Sequence, residues 1–562
     1  MMKQALILLS LLFFPLLIKA NALYEPIMSF QADRSALNRK YSNHLSEEYF
    51  QRMDRFYHQW LQKVESINYG TLSPDDKIDY LAFKNYLEKQ LYFHREDHGK
   101  FKEISGVLDF STELQAFYVN RRRATKPDAK AIAEQFTAAS QAIDKKSEAL
   151  KSEPYDSWQK ADLAAKSVRS LQHELQESYD FYNGYDPVFT WWVAQPWEKL
   201  DKNLKAYADL LEKNFKNTSI KDDGSGIIGH PIGAEAIQKE LEFELIPYTA
   251  EELIAEAEKQ FAWCEKEMLK ASEELGYEKD WKAALEHVKN TYVPAGQWPE
   301  DVANMVVEAT EYVEKHDLIT IPELAKEVWR TKMMSAERQK VSPFFLGGET
   351  ILISYPTAEM SHEDKMMSMR GNNPHFSRAV VHHEIIPGHH LQGFMMQRHK
   401  PHRRLFYTPF WMEGWALYWE MNLWEKDFPR NTEDKIGMLF WRMHRCARII
   451  FSLNYHLGNM SPQQCIDFLV EKVGHEYANA EAEVRRSFEG NYGPLYQIAY
   501  MVGGLQFYSL KQELVDNGNM SEKEFHDKVL SQNAIPVELI RARMKNETLS
   551  KNHKTQWEFL KD

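Results

Sequence analysis

The chain has 562 residues, a mass of 66.0 kDa and a formal charge of −13. Its 46 glycines and prolines are too few for an all-β sandwich, a collagen or a Pro/Gly linker protein, since average usage is already about 12%. A hydrophobic fraction of 43% with 13% aromatics excludes global disorder, and no basic patch dominates this acidic chain, so nucleic acid is not an expected partner.

Lys3 opens an apolar run from Ala5 to Ile18, followed by Ala20-Asn21-Ala22. A basic start, a short apolar core and a small-x-small site predict a secretory signal peptide over 1–22 and a mature chain over 23–562. As a membrane helix the run is short, at about 14 residues against roughly 20 for a span, and it contains Pro15. No cysteine follows it, so lipid anchoring is not expected. Loss of Lys3 and Lys19 takes the mature charge to −15. No later stretch is apolar enough to be a transmembrane segment, and the expected location is periplasmic or secreted.

The mature chain reads as mainly α. Ser73 and Pro74 start a helix over 74–91 in which Ile78, Leu81, Phe83, Leu87 and Leu91 recur near helical spacing. Similar patterns predict helices over 128–152, 158–182, 249–275, 299–315 and 322–341. No 34- or 40-residue repeat is present, which argues against a solenoid. Residues 217–229 are polar with three glycines and read as the best-marked internal loop. Trp191, Trp192 and Trp197 cluster around Pro196 and read as core packing before ligand stacking. Residues 344–355 are aromatic and β-branched around Gly347-Gly348 and predict a short hairpin or edge strand, either a structural ribbon or a rail for an extended peptide. Of the cysteines 264, 446 and 465, the last two are candidates for one disulfide. Three buried thiols is the simpler reading.

The chemistry concentrates at Val381-His382-His383-Glu384-Ile385-Ile386-Pro387-Gly388-His389-His390, where four histidines and a glutamate fall within nine residues. Three other His-Glu pairs, at 173, 362 and 475, have no histidine four to seven residues on, so the dipeptide alone carries no meaning. A zincin helix uses H-E-x-x-H, with two histidines on one face for zinc and the glutamate to activate water. Here two residues are added. On a regular helix His383 and His389 would stand about 9 Å apart along the axis and about 240° apart around it. One zinc, which binds imidazole nitrogen at about 2.1 Å, could not join them. Pro387 cannot donate to the carbonyl of His383, Ile386 is pushed out of the α region, and Gly388 accepts almost any backbone conformation. The expectation is a distorted turn at 386–388. If it bulges by two residues, His389 takes the place of the second zincin histidine, and His382 and His390 point elsewhere.

Glu413, 24 residues after His389, sits among Trp411, Met412 and Trp415. A carboxylate buried there needs a partner or a metal. Two histidines and one glutamate leave a zinc position open for water, as a hydrolase requires. Glu420, two turns further on, is the competing ligand, expected instead behind the ligands or on the surface.

These residues resemble the bacterial domain-of-unknown-function 885 family, whose core motif is H-E-x-x-P-G-H-H, and the resemblance extends to Glu413-Gly414-Trp415-Ala416. That family is distantly similar to the gluzincin peptidases, such as angiotensin-converting enzyme and thimet oligopeptidase. The resemblance implies one large helical domain over 23–562 with a deep cleft for short peptides, a small β-ribbon and a motif-bearing core at about 343–510. It implies Zn2+ as cofactor, held by His383, His389 and Glu413, with Glu384 as general base and Tyr500 as oxyanion donor. In the family P-G-Q more often precedes this tyrosine, where the present chain has Pro494-Leu495-Tyr496. Arg485 and Tyr496 are candidate substrate-binding groups. A structural ion pair for Arg485 and a helical core stripe of Tyr492, Tyr496 and Tyr500 are the plainer readings. The expected function is a zinc metallopeptidase acting on short peptides. The alternatives are another metal-assisted amide hydrolase, a metal-binding but non-catalytic peptide-binding envelope protein, and a structural protein without metal.

Overall fold

The computed structural model describes residues 21–152, 154–213, 222–339, 344, 347–490 and 492–560. The expected signal peptide up to residue 20, residues 217–221 of the expected loop and residues 345–346 of the expected ribbon lie outside them.

The fold is mainly helical, as its hydrophobic periodicity implies. The helix begun by Ser73 runs Pro74–Glu103, with the Ser73 hydroxyl accepting from the Asp76 amide and Pro74 in the first turn. Helices Ala129–Ser152, Trp158–Tyr182, Ala250–Glu274 and Trp298–Lys315 fall within a residue of the expected bounds. The Ala250–Glu274 helix starts at a capping box of Thr249 and Glu252.

The helix expected over 322–341 does not form in one piece. It divides into helix Glu323–Val328, strand Arg330–Met333 and one helical turn, Ala336–Gln339. The strand exists because its partner requires it. Ile351 and Ile353 of strand Thr350–Ile353 are buried, and their backbone needs a ladder. Residues 330–333 supply that ladder in parallel register, Arg330 opposite Thr350 and Met333 opposite Ile353. The ribbon is therefore a parallel pair and not a hairpin, because parallel strands need a crossover between them.

Among the described residues two apolar cores form. The smaller joins helices Thr112–Arg121, Ala129–Ser152, Trp158–Tyr182 and Pro187–Lys213 through Phe117, Phe136, Phe189, Val193 and Trp197. Trp191 and Trp192 do not join it: they are 84% and 44% exposed. The larger core is organised by two helices that are apolar all round and hence buried, Pro409–Glu425 and Tyr496–Lys511. They cross at Gly414 and Gly503, where a Cβ on Gly414 would lie 2.5 Å from the Gly503 backbone. Helix Thr432–His456 packs against Ala250–Glu274, Pro374–Glu384 and Tyr496–Lys511. All three cysteines are free and buried. Cys446 neighbours Cys264 rather than Cys465, and the Cys465 thiol faces the Phe451 carbonyl at 3.8 Å, so the candidate disulfide is not formed. No helix among the described residues is long and apolar enough to cross a membrane.

Candidate metal centre

The motif helix runs Pro374–Glu384, capped by the Asn373 side chain accepting from the His375 and Phe376 amides. It stops at Ile385, and a second helix starts at His389 and runs to Met396. The hydrogen bonds count the inserted residues. The Ile385 amide still donates to Val381, four residues back, at 3.0 Å. The Gly388 amide donates to His382 and the Leu391 amide to Ile385, each six residues back, at 2.9 and 3.1 Å. A four-residue step has become six, which is the two-residue bulge that Pro387 and Gly388 imply. Gly388 is needed for closeness rather than for a positive φ: a Cβ there would lie 1.8 Å from the His383 carbonyl oxygen. Trp415 Nε1 donates to the Pro387 carbonyl at 2.9 Å and ties the bulge to the next helix.

The bulge brings His383 and His389 together, their ring centroids 4.7 Å apart and their planes at 89°. Glu413 Oε2 lies 3.6 Å from His383 Nε2 and 3.2 Å from His389 Nε2. One ligand atom from each residue falls within 4.8 Å of the other two. A tetrahedral zinc with bonds of about 2.1 Å spaces its ligands by about 3.4 Å, so the two carboxylate distances fit zinc. Glu413 Oε2 is buried and accepts no hydrogen bond, whereas its other oxygen accepts from the Tyr496 hydroxyl. An orphaned carboxylate oxygen facing two imidazoles is what a cation would satisfy. The donor set of two imidazoles and a carboxylate also suits zinc. The two carboxylates, Glu413 and Glu420, make the point attractive to a cation, and a metal there would displace the His383 proton. Burial opposes charge on His383, but Glu413 and Glu420 outweigh it and hold its pKa up at about 9. Burial likewise opposes charge on Glu413, and the two histidines drive its carboxyl well below the usual range.

Glu420 stands behind the ligands, its Oε1 2.7 Å from His383 Nδ1. It is also paired with Arg445 at 3.2 Å. This carboxylate–histidine contact fixes the ring orientation. His390 Nε2 meets the Ala325 carbonyl at 2.7 Å. His382 packs on Phe428, where burial depresses its pKa to about 3. Both point away from the cluster, as expected.

Glu384 is half-buried at the helix end. Its Oε2 accepts from the Gly347 amide at 2.6 Å, and its carbonyl accepts from the Gly348 amide at 3.1 Å. A Cβ on Gly347 would overlap Glu384. The Gly-Gly step thus seats the carboxylate, a role that the sequence reading missed. Tyr500 stacks on His383 with centroids 6.0 Å apart and is flanked by Arg445 and Arg448 over its ring. Burial, with the Glu413 charge, pushes its hydroxyl pKa up.

The two candidate substrate contacts fall differently. Tyr496 is at the site, but its hydroxyl is committed to Glu413 and its ring stacks on Tyr492 at 4.1 Å. Arg485 is not brought to the cluster. It is one-third exposed, pairs with Glu481 and Glu489, and donates to the Ser225 and Gly226 carbonyls. It is a structural ion pair that holds the 225–226 loop. The buried cations beside Tyr500 are Arg445, paired with Glu420, and Arg448, joined to Glu483 at 2.7 Å. Two arginines three apart in the apolar run Met443-His444-Arg445-Cys446-Ala447-Arg448-Ile449 were the available signal. A concavity of about 940 Å3 lies between Arg39 and Arg122 on the N-terminal side, lined by none of the cluster residues.

The chain is similar in fold to two solved structures. One, from Shewanella oneidensis, is described as a "putative lipoprotein of unknown function"; it is 18% identical, with a TM-score of 0.68 over 94% of this chain and 100% of that one. The other, from Colwellia psychrerythraea and also described as a "putative lipoprotein", is 15% identical, with a TM-score of 0.58 over 94% and 98%. No curated protein matches. Residues 27–544, which include the bulged motif, Glu413 and Tyr500, match the bacterial proteins of unknown function called DUF885, and the chain belongs to that family.

Proposed function

We propose that the protein is a zinc-dependent peptidase acting on short peptides. The observation that carries this reading is the convergence of His383, His389 and Glu413 on one point beside a glutamate, Glu384, that is seated but not consumed by an ion pair. Zinc bound by the three side chains would supply Lewis acidity, with a coordination position left open for water. Glu384 would take a proton from that water and return it to the leaving amine, the general acid–base role of a half-buried carboxylate. Tyr500, beside His383, would donate to the oxyanion of the tetrahedral intermediate. Glu420 holds His383, and Tyr496 holds Glu413, so neither ligand has to be ordered when substrate arrives.

A location outside the cytoplasm is supported by the basic-apolar-small pattern of residues 1–22 and by the names of the two structural relatives. The test of function is zinc content by elemental mass spectrometry together with cleavage of an oligopeptide panel. About one zinc per chain and cleavage that Glu384→Gln abolishes support the proposal. Stoichiometric zinc without cleavage of any peptide would favour a metal-binding peptide-capture protein instead.

A further inference from the structure

The smaller helical core ends in two adjacent turns of opposite character. In one, Arg121, Arg122, Arg123, Lys126 and Lys130 fall within ten residues that contain a single acid, Asp128, in a chain whose net charge is −13. In the other, Phe181, Tyr185, Val188, Trp191 and Trp192 are exposed, Tyr185 and Trp191 by more than 80%. The turns touch. Tyr182 donates its hydroxyl to the Thr125 carbonyl at 3.0 Å, Arg121 lies over the Phe181 ring at 5.6 Å, and Lys130 lies over the Trp192 ring at 6.0 Å.

The exposed rings are not residual core. Helix Pro187–Lys213 buries Phe189, Val193 and Trp197 on one face. Val188, Trp191 and Trp192 form a second apolar stripe at i, i+3 and i+4 facing outward. Isolated exposed apolar residues are ordinary, but a contiguous aromatic patch at the end of a helical hairpin marks a contact surface. Arg121 and Arg122 are paired, with Glu177 at 3.8 Å and Glu48 at 3.6 Å, and Asp186 accepts from the Val188 and Phe189 amides, which leaves Arg123, Lys126 and Lys130 as the exposed cations of the turn.

We propose that this end of the bundle docks on the surface of an anionic phospholipid bilayer. The charge complementarity selects that occupant. Tryptophan and tyrosine favour the headgroup region, where an apolar ring and a polar edge are both satisfied. A cluster of lysine and arginine at the same level is drawn to anionic headgroups. Arg121 lies over the Phe181 ring and Lys130 over the Trp192 ring, so rings would enter the interface at the level where the basic turn met phosphate. The proposal is independent of the peptidase reading and concerns a different part of the molecule.

The test is co-sedimentation of the mature full chain with vesicles of phosphatidylethanolamine containing one quarter phosphatidylglycerol, beside vesicles of phosphatidylcholine alone. The expected result is binding to the anionic vesicles that weakens with salt and falls about tenfold or more in Trp191→Ser/Trp192→Ser and in Arg123→Glu/Lys126→Glu/Lys130→Glu. Circular dichroism checks that both variants are folded, and the substituted side chains are all solvent-exposed. Wild-type protein remaining in the supernatant, variants binding as tightly as wild type, or equal binding to phosphatidylcholine would each overturn the proposal. A wild-type dimer in sedimentation velocity that the tryptophan variant dissolves, without vesicle binding, would overturn it in favour of a second copy of the chain.

Discussion

The amide of Gly388 donates to the carbonyl of His382, six residues back, at 2.9 Å. This bond closes the bulge and carries His389 onto the face of His383. A Cβ on Gly388 would lie within 2.5 Å of both the His382 and His383 carbonyl oxygens. Gly388→Ala should therefore open the bulge, cost at least about 3 kcal/mol in the closed form and lose the metal. Gly393, one turn on, has nothing within 4 Å of a Cβ. Gly393→Ala should keep the metal and gain about 0.5–1 kcal/mol from helix propensity. Zinc titration and urea unfolding of both variants check the pair; equal behaviour would refute the packing argument.

Glu384→Gln keeps an oxygen for the Gly347 amide and removes only the base. Peptide cleavage should fall by about 10²–10⁴-fold with zinc content unchanged. Retained activity would move the base to another residue.

Tyr496 and Tyr500 stand one helical turn apart and should separate cleanly. Tyr500→Phe should lower kcat by about 10²–10³-fold and leave zinc bound. Tyr496→Phe removes the donor to Glu413 Oε1 and should loosen zinc. Glu420→Ala, which frees the His383 ring, should weaken zinc by about 10–100-fold. Competition with a chelator reads all three, and an unchanged affinity in Glu420→Ala would show that the His383 ring is held by packing alone.

Away from the site, Glu174 is buried in the N-terminal bundle with one hydrogen bond, from Asn43 at 3.1 Å. Burial raises its pKa from 4.5 to about 7. The folded state keeps the proton to about pH 7 and the unfolded chain releases it near 4.5, so stability is full below 4.5 and declines as pH rises to 7. The shift corresponds to about 3 kcal/mol. Glu174→Gln should match wild type in thermal unfolding at pH 4.5 and exceed it at pH 8. Parallel melting curves for the two proteins across that range would show that Glu174 does not carry the effect.

The helices and the convergence of His383 with His389 were legible because both are written in local spacing: 3.6-residue periodicity for the first, Pro387 and Gly388 between the two histidines for the second. Glu413 was legible because an acid among tryptophans needs a reason to be buried. Other features depend on distant partners. Gly347 reaches Glu384 across 37 positions, and nothing in its own neighbourhood signals that contact. Residues 330–333 look helical by pattern, yet they are drawn into a strand by Thr350–Ile353. Arg485 sits in the segment that matches the family, but its neighbour by one position on the helix, and not Arg485 itself, turns inward: Arg486 pairs with the buried Glu483 at 2.8 Å. A side chain's direction around a helix follows from packing that a motif does not record.

The crossing of Pro409–Glu425 with Tyr496–Lys511 has a consequence for motion. A Cβ at Gly503 would lie 2.3 Å from the Phe410 carbonyl oxygen and 2.8 Å from Gly414, so the two backbones touch with no side chain between them. Glu413 and Tyr500 lie within one turn of that contact, on opposite helices. The contact acts as a fixed axle: these helices cannot slide past one another without parting. Any opening of the cluster has to displace the surrounding elements, such as the segment that carries Gly347, around a stationary pair of groups.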